Sequence, residues 1–165
     1  MTDPQPGDFG LVKMYGDAGR LIRIGQWLNG DGFGDYEHAF VLVEGGSVVE
    51  AEPGGARIAP VSEYSEVLWS TGHVALTGEQ RAAVIKAAMG YVGTPYSAAD
   101  YFALAAHRLH LPLPGLKTYV ANSGHMICSQ LADQCYQDAG VQLFKDGRWP
   151  GYVTPGALAD LLLAR

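Results

Sequence analysis

The first half of the chain is built from short apolar runs separated by glycine and proline, and the second half from apolar positions at helical spacing. After a turn at Pro6-Gly7-Asp8, Phe9 to Met14 is an apolar run of strand character. Leu21, Ile22, Ile24, Gly25 and Leu28 then recur at roughly helical intervals across Asp17 to Leu28. His38-Ala39-Phe40-Val41-Leu42-Val43 is a continuous β-leaning run, Gly45-Gly46 is a hairpin signal, and Ser47-Val48-Val49-Glu50-Ala51 is the returning strand. Pro53-Gly54-Gly55 turns the chain again, and Ala56 to Ala59 is expected to come back as a third strand. Val67-Leu68-Trp69 and His73-Val74-Ala75-Leu76 are further short strand candidates. This half predicts an antiparallel meander.

The period then changes. Thr77-Gly78-Glu79-Gln80 has the form of a capping box, and Val84, Ile85, Ala88 and Met89 mark one face of the helix it opens. Gly93-Thr94-Pro95-Tyr96 ends that element. Ser97 can cap a second helix through Phe102, Leu104 and Ala105, and Leu111 to Gly115 is a proline-rich loop. Leu131, Ala132, Cys135 and Tyr136 define a helix that begins near Cys128 and stops at Gly140. Thr154-Pro155 is a cap followed by proline at the first helical position, opening a final helix to about Leu163.

A length of 165 residues with 48% hydrophobic and 17% charged residues suits one globular domain spanning residues 1–165. The net charge of −6, without a run of Lys or Arg, argues against nucleic acid or anionic lipid as the main partner. Cys128 and Cys135 lie two helical turns apart, roughly 10 Å, too far for a disulfide. A reducing compartment is the simpler setting. Met1 to Pro6 has neither the basic nor the apolar segment of a signal peptide, and no apolar run is long enough to span a bilayer. The expected location is cytoplasmic, or release in a virion or by lysis.

Cys128 sits where a loop rich in Asn122, Ser123 and Gly124 becomes a helix. A thiol in the first turn feels the positive end of the helix dipole, which favours thiolate. The competing reading is a buried, inert cysteine. A nucleophile needs a base, an orienting group and an oxyanion donor. Of the five histidines, His38 is the first candidate base, because it begins an apolar strand directly after Asp35-Tyr36-Glu37. His73 also begins a strand candidate, and His107 and His110 lie near a helix end. His125 is close to Cys128 but ranks below His38, since the short intervening loop does not fix its ring against the thiol. The glycine-rich stretch from Asn29 to Asp35 faintly suggests a calcium loop. Counting from Asn29, however, the twelfth position is Phe40, so the acidic ligand is missing and a surface loop flanking a cleft is the simpler reading. Trp27, Trp69 and Trp149 read as core or cleft wall.

Together these pieces resemble the circularly permuted branch of the NlpC/P60 superfamily of papain-like cysteine hydrolases. His38 to Val43, the Gly45-Gly46 hairpin and Val48-Val49-Glu50-Ala51 are similar to the family's histidine hairpin. Glu50 follows His38 at the family's interval. Gly93-Thr94-Pro95-Tyr96 resembles the Gly-x-Pro-Tyr segment upstream of the nucleophile, and Cys128-Ser129 with Leu131 resembles the Cys-Ser-x-Leu helix start. Gly7-Asp8 resembles the Gly-Asp before the first strand. The likeness spans about residues 6 to 140.

The resemblance implies an α+β papain-like fold, a small antiparallel β-sheet packed against helices. It implies Cys128 as nucleophile, His38 as general base, Glu50 as the group orienting the imidazole, and Tyr96 beside the nucleophile, polarising the substrate carbonyl. The backbone N–H of Cys128 would donate to the oxyanion. No cofactor or metal is implied. The activity implied is peptidase or amidase chemistry through a thioester acyl-enzyme, on cell-wall peptides with D-amino acids. Lipid acyltransferase or thioesterase chemistry, as in permuted relatives, is the alternative within enzymes. A catalytically idle binding domain using the same cleft is the alternative outside them. The partner is then a peptide or acyl-bearing substrate.

Three departures from the family stand out. Ile127 precedes the nucleophile where many members carry Asp. Ala39-Phe40 replaces the usual Val-Gly and places an aromatic ring near the site. The third group is an acid rather than His or Asn. Hairpin geometry also bears on Glu50. A strict two-residue Gly45-Gly46 turn would put Glu50 on the face opposite His38. A three-residue Gly45 to Ser47 loop restores the face but sets Glu50 opposite Leu42, so a bulge or longer loop is needed, and Glu52 is the runner-up for the third role. Tyr96 could equally pack the start of the next helix, and Cys135 reads as core.

Overall fold

The computed structural model describes residues 3–13, 35–52, 54–95, 127–148 and 153–164. Five strands and three helices lie within them: β1 (Phe9–Val12), β2 (His38–Val43), β3 (Ser47–Glu52), β4 (Gly55–Pro60), β5 (Leu68–Trp69), α1 (Gly78–Tyr91), α2 (Cys128–Asp138) and α3 (Pro155–Leu163). The expected helices at Asp17–Leu28 and after Ser97, the Leu111–Gly115 loop, most of the Asn29–Asp35 loop, Tyr96, His107, His110, His125, Trp27 and Trp149 lie outside the described residues.

The strands form one antiparallel sheet in the order β4-β3-β2-β1-β5. The first four make the meander that the alternating apolar runs predict, and β5 returns along the outer side of β1. The described part is therefore an α+β structure. Strand side chains alternate between two faces. Phe9, Leu11, Ala39, Val41, Val43, Val49, Ala51 and Ala56 build one face, buried with Val84 and Ala88 of α1, Leu131, Cys135 and Tyr136 of α2, and Leu158 and Leu162 of α3. Val12, Phe40, Leu42, Val48 and Ala59 build the other, covered by Val61, Tyr64, Val67 and Trp69 from the β4–β5 region. Both faces of β2 are buried, which accounts for its unbroken apolar sequence.

Thr77 opens α1 as its sequence predicts. Its hydroxyl accepts from the Gln80 N–H at 3.1 Å, and the Gln80 side chain accepts from the Thr77 N–H at 2.9 Å. Thr154 caps α3 in the same way, accepting from the Ala157 N–H, with Pro155 in the first turn. Two sequence expectations change. His73–Leu76 is not a strand: the His73 and Val74 N–H groups donate to the Ser70 carbonyl, and Gly72 takes φ 79°. The chain turns there because it must enter the Thr77 cap at once. The β2–β3 loop also differs from either expected form. It comprises Glu44, Gly45 and Gly46, with Val43 paired to Ser47. Gly45 and Gly46 take φ of 71° and 70°, a region costly for side chains other than glycine.

Among the described residues, no helix is long and apolar enough to cross a membrane. The N-terminal segment is tied in through Asp8, which is fully buried. Its carboxylate accepts from Arg81 Nη1 at 2.9 Å, from the Thr71 hydroxyl at 2.7 Å and from the Gln5 N–H at 2.9 Å. The Tyr136 hydroxyl donates to the Gly7 carbonyl at 2.8 Å.

Candidate active site

The site is written across the second face of the sheet. In register, Trp69 pairs with Gly10, Gly10 with Phe40, Phe40 with Glu50, and Glu50 with Arg57, giving one cross-strand row over all five strands. His38 stands two residues from Phe40 on β2 and so shares this face. Glu50 is its diagonal neighbour, within reach of a long side chain. The bulge expected from the sequence is therefore unnecessary: the Glu44–Gly46 loop moves the pairing so that Glu50 sits opposite Phe40, not Leu42.

His38 Nε2 lies 2.6 Å from Glu50 Oε2, and both side chains are buried. Cys128, the first residue of α2, also interacts with the His38 side chain and favours its charged form. His38, Cys128 and Glu50 thus come together. Cys128 and Cys135 are both buried and neither forms a disulfide. Cys135 belongs to the apolar core, and burial pushes its thiol pKa up.

Electrostatics follow from these contacts. Burial is the largest influence on His38 and opposes its charge. Hydrogen bonds to Cys128 and Glu50, with the attraction of both, outweigh it and raise the pKa from 6.5 to about 10. Burial likewise works against charge on Glu50. Hydrogen bonds from His38 and Tyr64, then the charges of His38 and Arg57, hold its pKa below the usual value. Oε1 of Glu50 lies 2.9 Å from Arg57 Nη2, close enough for an ion pair but not aligned as a hydrogen bond. Arg57 also pairs with Glu52 at 3.1 Å and Glu63 at 3.2 Å.

Tyr64 and Arg57 are participants that sequence reasoning missed. The Tyr64 hydroxyl donates to Glu50 Oε2. Its ring stacks on Phe40, centroids 4.6 Å apart, and Phe40 meets Trp69 edge-on at 5.7 Å. Arg57 stands opposite Glu50 in the β3–β4 register, where the expected Pro53-Gly54-Gly55 turn would have placed Ile58. Nothing in the sequence marks Tyr64. Glu52, the runner-up, contacts Arg57, and its carboxylate remains part-exposed. His38, Glu50 and Glu52 each offer a ligand atom within 4.8 Å of the others. However, the His38 and Glu50 atoms already bond each other and Arg57 supplies the cation between the carboxylates, so the cluster is a closed ion-pair network.

Gly93 and Thr94 lie along the outer edge of β4. The Ala56 N–H donates to the Thr94 carbonyl at 2.8 Å, and the Gly93 N–H donates to the Ala56 carbonyl at 2.7 Å. The Gly-x-Pro part of the motif is therefore anchored next to Arg57, while Tyr96 is outside the described residues. At the start of α2, the Ser129 hydroxyl donates to the Val153 carbonyl at 2.7 Å. Ile127 occupies the cap position and has no polar side chain with which to cap the first-turn N–H groups. No protein-family model matches the chain, and no curated protein matches it in sequence.

Proposed function

We propose that the protein is a cysteine hydrolase, a peptidase or amidase with the papain-like NlpC/P60 fold in its circularly permuted form. One observation carries this reading: a buried imidazole that interacts with a helix-start thiol and lies within hydrogen-bond distance of a buried carboxylate whose pKa is held low. That order of groups is what nucleophilic catalysis by cysteine requires. The raised His38 pKa supports a thiolate–imidazolium pair at neutral pH, with Glu50 stabilising the charged ring.

In the proposed reaction the Cys128 thiolate attacks the amide carbonyl carbon and forms the C–S bond. The carbonyl electrons move to oxygen, where the Cys128 N–H donates to the oxyanion. They return as the C–N bond breaks, and the amine leaves with the proton from His38. Neutral His38 then takes a proton from water, hydroxide adds to the thioester, and Cys128 leaves as thiolate. By family likeness Tyr96 donates to the same carbonyl. The proposed substrates are peptides of the cell-wall type, with no cofactor or metal.

Intact-mass measurement after incubation with peptidoglycan fragments, and separately with acyl lipids, tests the reading. A peptide-derived acyl adduct on Cys128, absent in Cys128→Ala, is the expected result. An adduct from the lipid alone would reassign the enzyme to acyl transfer or thioester hydrolysis. No adduct from either, with Cys128 alkylated by iodoacetamide no faster than an ordinary thiol, would leave a binding domain.

A further inference from the structure

We infer that Tyr64 is a positioning residue of this site, fixing the Glu50 carboxylate in the orientation that holds the His38 ring toward Cys128. This rests on the hydrolase reading above for its consequence, but its structural content stands on separate contacts. The Tyr64 hydroxyl and His38 Nε2 converge on the same oxygen, Oε2 of Glu50. The other oxygen has an ion-pair neighbour in Arg57 but no aligned hydrogen-bond donor. Arg57 is half-exposed and shared among three carboxylates, so it supplies charge rather than direction. A carboxylate gripped only by a shared guanidinium and by the imidazole it is meant to orient can pivot about its last bond. Tyr64 removes that freedom.

The hydroxyl is delivered by a rigid support. The Tyr64 ring lies 25° from parallel to Phe40 and 5.8 Å from the His38 ring. Phe40 is fully buried and lies over Gly10, where an added Cβ would come within 2.5 Å of its ring. The Tyr64 N–H is anchored to the Val61 carbonyl at 3.1 Å. Burial and the adjacent Glu50 carboxylate push the phenol pKa upward, so the hydroxyl stays a donor wherever the site is charged. The aromatic residue at position 40, a departure from the family pattern, has a use here: it is the platform on which Tyr64 rests.

Tyr64→Phe is the direct test, because it keeps the ring stack and deletes only the hydroxyl. Two readouts are needed. The first is the proton NMR signal of His38 Nε2–H, followed as the solution is acidified until Glu50 takes a proton. The variant is expected to lose this signal at a pH about one unit higher than wild type, since one donor to the carboxylate is gone. The second is the iodoacetamide rate at Cys128 near neutral pH, expected to fall about tenfold as the imidazole loses its fixed orientation. Circular dichroism of the folded variant should match wild type, and Tyr64→Leu, which also removes the stack, should add a loss of thermal stability. A Tyr64→Phe protein with the wild-type NMR titration overturns the positioning role. Slow alkylation of the wild-type thiol would overturn the hydrolase reading alone, because the NMR comparison still decides the role of Tyr64.

Discussion

Glu50 is a fully buried carboxylate that remains ionised because His38, Tyr64 and Arg57 converge on it. Its side chain is worth more as a charge than as a shape. Glu50→Gln keeps the size but removes the charge that favours the protonated imidazole. Under the proposed hydrolase reading, we expect hydrolysis to fall by roughly 10²–10⁴-fold, read as kcat/KM on a peptide that forms the Cys128 adduct. Folding stability should fall by about 1–3 kcal/mol in urea melts, because Tyr64 and Arg57 then face an amide. His38 gives the matching pH dependence. Its pKa in the folded protein, about 10, lies above the ordinary value of 6.5. A group raised on folding stabilises the native state fully below its unfolded pKa, and that contribution is lost as pH climbs through the folded value. Urea midpoints should therefore decline between about 6.5 and about 10, and His38→Gln should flatten that decline.

At the scale of elements, β1 owes its position to an absent side chain. Gly10 lies beneath Phe40, and an added Cβ would meet Phe40 at 2.5 Å and Val67 at 2.7 Å. Gly10→Ala should cost about 1–3 kcal/mol by overpacking and displace the Phe40–Tyr64 stack, seen as a change in near-ultraviolet circular dichroism. The elements were legible in the sequence where local chemistry is decisive. The Thr77 and Thr154 caps, the apolar His38–Val43 strand and the Cys128 helix depend on neighbouring residues. Hairpin register was not legible, because Glu44 joining the Gly45-Gly46 loop, rather than Ser47, changes every pairing beyond it. That single shift makes Glu50 a diagonal partner of His38 without a bulge. Tyr64 was invisible for a related reason: it reaches Glu50 from a segment outside the strands, and no periodicity governs such a segment. His73–Leu76 misled because its partly exposed turn before a capped helix carries an apolar run of strand length.

At the scale of the molecule, long-range polar contacts lock the layers together. Asp8 joins the segment before β1 to Arg81 of α1 and to Thr71 after β5, while Tyr136 of α2 donates to Gly7 beside it. Asp8→Ala should lower stability by about 2–3 kcal/mol, since charged hydrogen bonds are lost and Arg81 keeps only part of its partnership. Chemical denaturation of the variant checks this, and the His38–Glu50 pair should survive wherever the protein remains folded. The same long reach has a consequence for biosynthesis. The imidazole and its carboxylate belong to one hairpin, whereas the sulfur emerges much later, at the head of α2. The meeting of thiol and imidazole is therefore postponed until translation has passed α2 and the helix has docked.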